Sequence, residues 1–203
     1  MPAIIKQSEI RWSEPIRVRF GFAGIPKEHA VPIIRKLIDE EWPTIKRRKQ
    51  CVYVIRLRGE VAIAYGETYS PVIYIGEGDA YGRLYSHAEW LASLLINVPN
   101  LEVEIHIAQI ARKANYELYR YIEADMIKWF YEEFACLPWF NRQRERGKEG
   151  HYEYEVDAKK NLRRHIGVGS GNSFLWGIRP LPNNDQYKRY VKGNGNGGGS
   201  ASS

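Results

Sequence analysis

"PVIYIGEGDAYGRLYSHAEWL", Pro71 to Leu91, is the stretch on which the reading of the fold turns. An apolar run ends in a Tyr74-Ile75-Gly76 step, one loop follows, and Arg83 and His87 then stand four residues apart. The run reads as a strand. Leu84, Leu91 and Leu95 recur at helical spacing, which predicts a helix from about Tyr81 to Leu95. On that helix Arg83 and His87 share one face. Taken alone, the stretch fits equally well a strand, a turn and an amphipathic helix whose polar residues have no chemical duty.

The segments on either side narrow the choice. "CVYVIRLR" (Cys51–Arg58) is the strongest strand in the chain, and "EVAIAY" behind Gly59 is expected to extend it and the Tyr74 strand as a hairpin. "LEVEIHIAQI" alternates: Leu101, Val103, Ile105 and Ile107 face one side, Glu102, Glu104 and His106 the other. "NYELYRYIEADMIKWFYEEF" reads as a long amphipathic helix with Tyr119, Ile122, Met126, Ile127 and Phe130 as its apolar stripe. Upstream, "PIRVRFGF" alternates as a strand, with Ile16, Val18 and Phe20 opposite Arg17 and Arg19. "PKEHAVPIIRKLIDEEW" reads as a short helix with Pro32 near its first turn. The basic run "TIKRRKQ" is read as a solvated surface loop.

The division expected is a strand/helix extension over 1–50, a core over 51–142, a basic extension over 143–192 and a disordered Gly/Ser tail over 193–203. The tail is either native or an added linker. No internal repeat is present.

The 203 residues suffice for one decorated domain, and 44% apolar with 13% aromatic residues belongs to a folded chain. A formal charge of +6 favours an anionic partner such as nucleic acid. Cys51 and Cys136 form no CxxC pair or disulfide framework, so a reducing, cytoplasmic setting is expected. No signal peptide is evident at "MPAIIKQSEIRW", and no apolar run approaches the roughly 20 residues that span a bilayer.

The polar residues fall in a definite order: Tyr53 in the first core strand, Tyr74 in the second, Arg83 and His87 on the first helix, Glu123 in the apolar stripe of the second, and Asn141 after a Leu-Pro-Trp-Phe turn. With "CVYVI" and "IYIG" as the two half-signatures, then Arg83, "EADMI" and "WFN", the chain resembles the GIY-YIG nucleases over Cys51 to Arg142. The Arg-x-x-x-His spacing is most similar to that of certain type II restriction endonucleases. Two departures stand out: Cys51 replaces the usual glycine, and the segment between Tyr53 and Tyr74 is longer than in the minimal domain. A longer connection is cheap in loop-closure entropy.

The resemblance implies an α+β fold with a small three-stranded, mostly antiparallel sheet flanked by helices. It also implies a DNA endonuclease with one divalent ion, Mg²⁺ or Mn²⁺, on Glu123. Arg83 would hold nonbridging phosphate oxygens, Tyr53 would orient or deprotonate the attacking water, Tyr74 would add a second hydroxyl, and Asn141 would brace the Glu123 region. A phenol of pKa about 10 is a poor base at neutral pH. His87 is the expected proton acceptor, and a His87→Ala variant is expected to recover as pH rises. Arg142, Arg144, Arg146, Lys159, Lys160, Arg163 and Arg164 are either sequence-independent contacts to double-stranded DNA or a solvated basic face. Cutting both strands of a palindrome would call for a homodimer. His106 is read as ordinary surface; His151 and His165 lie outside the match. The compact flanks suit a stand-alone nuclease, with restriction, homing, repair and phage-directed host-DNA degradation all open. The rival reading is a catalytically inactive binding or structural module on the same scaffold.

Overall fold

The computed structural model describes residues 3–19, 25–41, 49–58, 61–65, 68–98, 101–111, 117–144, 147–167 and 176–178, and structural statements refer to these. In chain order the elements are β1 (Ile4–Ile5), a 3-10 turn (Gln7–Glu9), β2 (Ile10–Trp12), β3 (Ile16–Arg19), α1 (Lys27–Glu41), β4 (Cys51–Arg58), β5 (Val61–Tyr65), β6 (Thr68–Ser70) and β7 (Val72–Gly78). They continue with α2 (Ala80–Asn97), β8 (Glu102–Ile110), α3 (Leu118–Phe134), β9 (Glu153–Tyr154), α4 (Val156–His165) and β10 (Trp176–Ile178). This is an α+β fold. The basic residues at 44–48, Arg146 and the tail at 193–203 lie outside the described residues.

β4 is central because it is apolar on both faces: Cys51 to Ile55 are all buried. It pairs antiparallel with β7 on one side and β8 on the other. The expected three strands are therefore neighbours, but the sheet has five, since β2 and β3 both pair antiparallel with β8. The reason lies in β8, a long regular strand whose outer edge would otherwise present unpaired N–H and C=O groups. The N-terminal segments cover that edge, and Arg17 opposite Glu104 adds an ion pair at 3.3 Å.

A second correction concerns the connection from β4 to β7. β5 does not prolong the β4–β7 hairpin; it pairs with β6 and, in parallel, with β10 in a separate sheet. The β4–β7 ladder is interrupted by a register shift between Ile55 and Arg56. Tyr65 then turns inward, donating its hydroxyl to the Val72 carbonyl at 2.6 Å and meeting Phe130 edge-on at 5.1 Å. Burying that aromatic outweighs a longer ladder. In α1, Pro32 sits inside the helix, in its second turn and just past the first. The bond its missing N–H forfeits is offset by buried Val31, Ile34 and Ile38.

The register divides the sheet's chemistry. Tyr53, Ile55 and Leu57 lie with Ile107, Ile105 and Val103 on one face; Val54 and Arg56 lie with His106 and Glu104 on the other. β1 pairs with β9 in a separate two-stranded sheet, and the Glu155 carboxylate accepts from the Gln7 amide at 2.9 Å, which ties the start of α4 to the N-terminal segment. No helix among the described residues is long and apolar enough to cross a membrane.

Candidate active site

Tyr53 is fully buried mid-strand, directly opposite Gly76 of β7. A Cβ at Gly76 would lie 2.6 Å from the Tyr53 ring and hydroxyl and 2.6 Å from the Tyr74 ring. The bare glycine is what lets the phenol cross the neighbouring strand. Having crossed, its Oη reaches Nε2 of His87 at 3.0 Å.

His87 is delivered by α2. β7 ends at Gly78 in a left-handed conformation (φ 100°), Asp79 follows as N-cap, and its carboxylate accepts from the Gly82 amide at 3.4 Å. The helix then carries an exposed Arg83 and a half-buried His87 on one side. The Tyr74 ring meets His87 edge-on at 4.7 Å and lies 5.8 Å from the Tyr53 ring.

Glu123 is only 8% exposed on α3, and its charge, like that of Arg83, acts on both tyrosines. Asn141 stands beyond the end of α3, which closes on Ala135 in the left-handed region. Its Oδ1 accepts from the Ile75 amide at 2.9 Å and its Nδ2 donates to the Ile75 carbonyl at 2.7 Å. The Phe140 amide donates to the Ile73 carbonyl at 2.9 Å. The turn after α3 thus acts as a further rung along the outer edge of β7, fixing the residue between Tyr74 and Gly76.

Burial holds the Tyr53 hydroxyl well above its ordinary pKa, Tyr74 adds to that, and Arg83 works against it. Burial also raises Tyr74. His87 is pushed down to about 4, first by burial and then by Arg83. At neutral pH both groups of the dyad are uncharged, and the His87 tautomer sets which of them donates across the 3.0 Å contact. The recovery of a His87→Ala variant at higher pH, expected from an ordinary phenol, is therefore displaced beyond the usual working range.

The basic residues divide. Arg142, Lys159, Lys160 and Arg164 are exposed. Arg163 lies 3.8 Å from Glu133. Arg144 is committed internally: its Nε and Nη2 each donate at 2.9 Å to Glu149, and its guanidinium stacks on Tyr131 at 4.8 Å. His106 is not surface. It is largely covered, 3.4 Å from Glu104, and it meets His165 of α4 edge-on at 5.4 Å. His165 in turn stacks on Trp12 at 3.6 Å. His151 is exposed, its Nε2 2.7 Å from the Gly147 carbonyl.

Two further residues beside the site are not singled out by the sequence pattern. Gly76 is visible there only as part of the Tyr-Ile-Gly step; its duty needs the cross-strand register. Trp90 falls three residues after His87, so the Arg83–His87 stripe already points to it. Its indole stacks on Phe140 at 4.1 Å and lies 5.4 Å from His87. Compared with protein-family models, curated proteins and solved structures, the chain matches none.

Proposed function

We propose that the chain is a metal-dependent endonuclease of the GIY-YIG type, hydrolysing phosphodiester bonds of double-stranded DNA. The observation that carries the reading is the 3.0 Å approach of Tyr53 Oη to His87 Nε2, with Arg83 one helical turn away. On this reading β8, β4 and β7 stand for the family's three-stranded sheet, and β2 and β3 are additions to it.

The residues fit a sparsely held ion. Among the described residues no group of three His, Cys, Asp or Glu side chains could enclose a metal. Mg²⁺ does not require such a cage: it retains several waters and binds through one or two carboxylates plus substrate phosphate. Glu123 would hold it. Bound there, the ion would offset the charge developing on the leaving oxygen.

The chain's own residues supply the rest. Arg83, with its planar fork of donors, takes the nonbridging phosphate oxygens. Tyr53 accepts a proton from the attacking water while passing its own to His87 Nε2, so the buried phenol never carries a full charge. Phosphate binding beside Arg83 neutralises the cation that depresses His87, which raises its proton affinity when a proton must be taken. The water oxygen bonds to phosphorus, the bond to the leaving oxygen breaks, and Tyr74 steadies the phosphate with its hydroxyl. The exposed Arg142, Lys159, Lys160 and Arg164 add sequence-independent backbone contacts, and two copies would cut both strands of a palindrome.

Nicking of supercoiled plasmid with Mg²⁺, and its loss with EDTA, is the test. Binding without metal-dependent cleavage of duplex, single-stranded or branched DNA would instead favour a retired, binding-only module.

A further inference from the structure

Arg83, His87 and Trp90 occupy positions i, i+4 and i+7 of α2, one continuous stripe. Arg83 is assigned to the phosphate and His87 to the Tyr53 proton. Trp90 begins a chain of rings that leads away from both: Trp90 lies 6.1 Å from Tyr74, stacks on Phe140 at 4.1 Å and 21°, and Phe140 lies 4.9 Å from Trp139. None of these rings is closed into the core; Tyr74, His87, Trp90, Trp139 and Phe140 all keep part of their surface open.

The backbone under this shelf is fixed. Phe140 is pinned to β7 through its amide and the Ile73 carbonyl at 2.9 Å, and its neighbour Asn141 makes both bonds to Ile75. An aromatic surface held this firmly, partly wet and continuous with a phosphate-binding stripe, has the form of a stacking platform. A base kept in the duplex stack has its faces covered by its neighbours, whereas a base turned out of the stack has a face free for such a platform.

We propose that Trp90, backed by Phe140, stacks an unpaired or extruded nucleobase of the nucleotide adjoining the scissile phosphate. This rests on the nuclease reading above. Its contribution is positional: docking the base locates the phosphate between Arg83 and the Tyr53–His87 dyad. Stacking of one base on an aromatic side chain is worth about 5- to 100-fold in binding, and that is the size of effect expected.

The test is a double-mutant cycle between protein and DNA. Plasmid cleavage first maps a cut, and duplex oligonucleotides are then made around it, intact or with an abasic site next to the cut. For wild type, kcat/KM should fall about 5- to 100-fold on the abasic duplex. For Trp90→Ala it should fall by a similar factor on the intact duplex, with little further loss on the abasic one. Trp90→Phe, which keeps a stacking ring, should restore most activity and the sensitivity to the abasic site. Thermal unfolding of both variants monitors the fold.

If the losses from Trp90→Ala and from the abasic site simply multiply, Trp90 is packing only and the shelf is overturned while the nuclease reading stands. The shelf is overturned equally if Trp90→Phe is insensitive to the abasic site. If wild type cuts no DNA in Mg²⁺, the nuclease reading and the shelf fall together.

Discussion

Tyr53 Oη lies 3.0 Å from His87 Nε2, and the two groups are driven apart in acidity: the phenol is raised well above its ordinary pKa and the imidazole is lowered to about 4. Neither is charged at neutral pH. On the proposed nuclease reading the pair would relay a proton, and each partner would be useless alone. Tyr53→Phe and His87→Ala should each lose about 10²- to 10⁴-fold in kcat, the usual worth of general acid–base assistance. The double variant should be no worse than about the weaker single one, because the pair acts as a unit.

The pH dependence follows from the same shifts. His87 must be neutral to accept a proton, and in the free protein it becomes cationic only as pH falls towards 4. The profile of kcat/KM should therefore carry no His87 limb between about pH 6 and 9. His87→Ala should stay inactive at pH 9, since Tyr53 cannot ionise there unaided. Recovery of that variant over pH 7–9 would show that Tyr53 is less buried in its working state than the structure has it.

Glu123 is a buried carboxylate on α3, flanked by buried Ile122 and Ala124, with buried Asp125 next along the helix. Glu123→Gln preserves the shape and removes the charge. Cleavage should fall below detection with Mg²⁺, while DNA affinity measured in EDTA stays within about threefold, because on the nuclease reading the ion would serve chemistry more than docking. Full turnover of Glu123→Gln in Mg²⁺ would remove Glu123 as the metal ligand.

Gly76→Ala tests the crossing of the tyrosine over β7. The added methyl would meet the Tyr53 and Tyr74 rings at 2.6 Å, and the rings are too large and too enclosed to yield cheaply. Overpacking of this kind costs about 1–3 kcal/mol. The activity loss should exceed anything that destabilisation explains, about 10²-fold or more at temperatures where the variant is fully folded by circular dichroism. A displaced hydroxyl loses its 3.0 Å reach to His87.

The grouping of the candidate residues was more legible in the sequence than the fold around them. Alternation in Glu102–Ile110 and the stripe of α3 reported burial directly, since each repeats at its own period. Arg83 and His87 declared a shared face by spacing alone. The partner of an edge was not legible: nothing local in Ile10–Trp12 or Ile16–Arg19 says that β8 will be capped by them. The inward turn of Tyr65 depends on Phe130, distant in the chain, and no pattern within Val61–Tyr65 carries that. His106 was misjudged for a similar reason. It does sit on the polar side of its strand, but α4 covers that side.

His165 supplies the last prediction. It stacks on Trp12 at 3.6 Å, its Nδ1 donates to the Asn161 carbonyl at 2.8 Å, and it faces His106 of β8. Burial pushes its pKa down to about 4, the Asn161 bond works against this, and His106, Arg56 and Arg164 lower it further. Glu104, the nearby carboxylate, is already engaged by Arg17 and Arg58. An unfolded histidine takes up its proton near pH 6.5, whereas this one resists until about pH 4. Below 6.5 the unfolded chain thus binds the extra proton, so stability that is complete above that pH is lost as pH falls towards 4. The loss from His165 alone should reach about 2 kcal/mol between pH 7 and 4.5. His165→Phe keeps a ring on Trp12 but cannot titrate. It should be less stable than wild type at pH 7, by about 1 kcal/mol for the lost hydrogen bond. Its urea midpoint should nevertheless fall less steeply on acidification, and the two curves should cross between about pH 5.5 and 6. Parallel curves for wild type and His165→Phe would show that α4 is not held to the sheet by an uncharged His165.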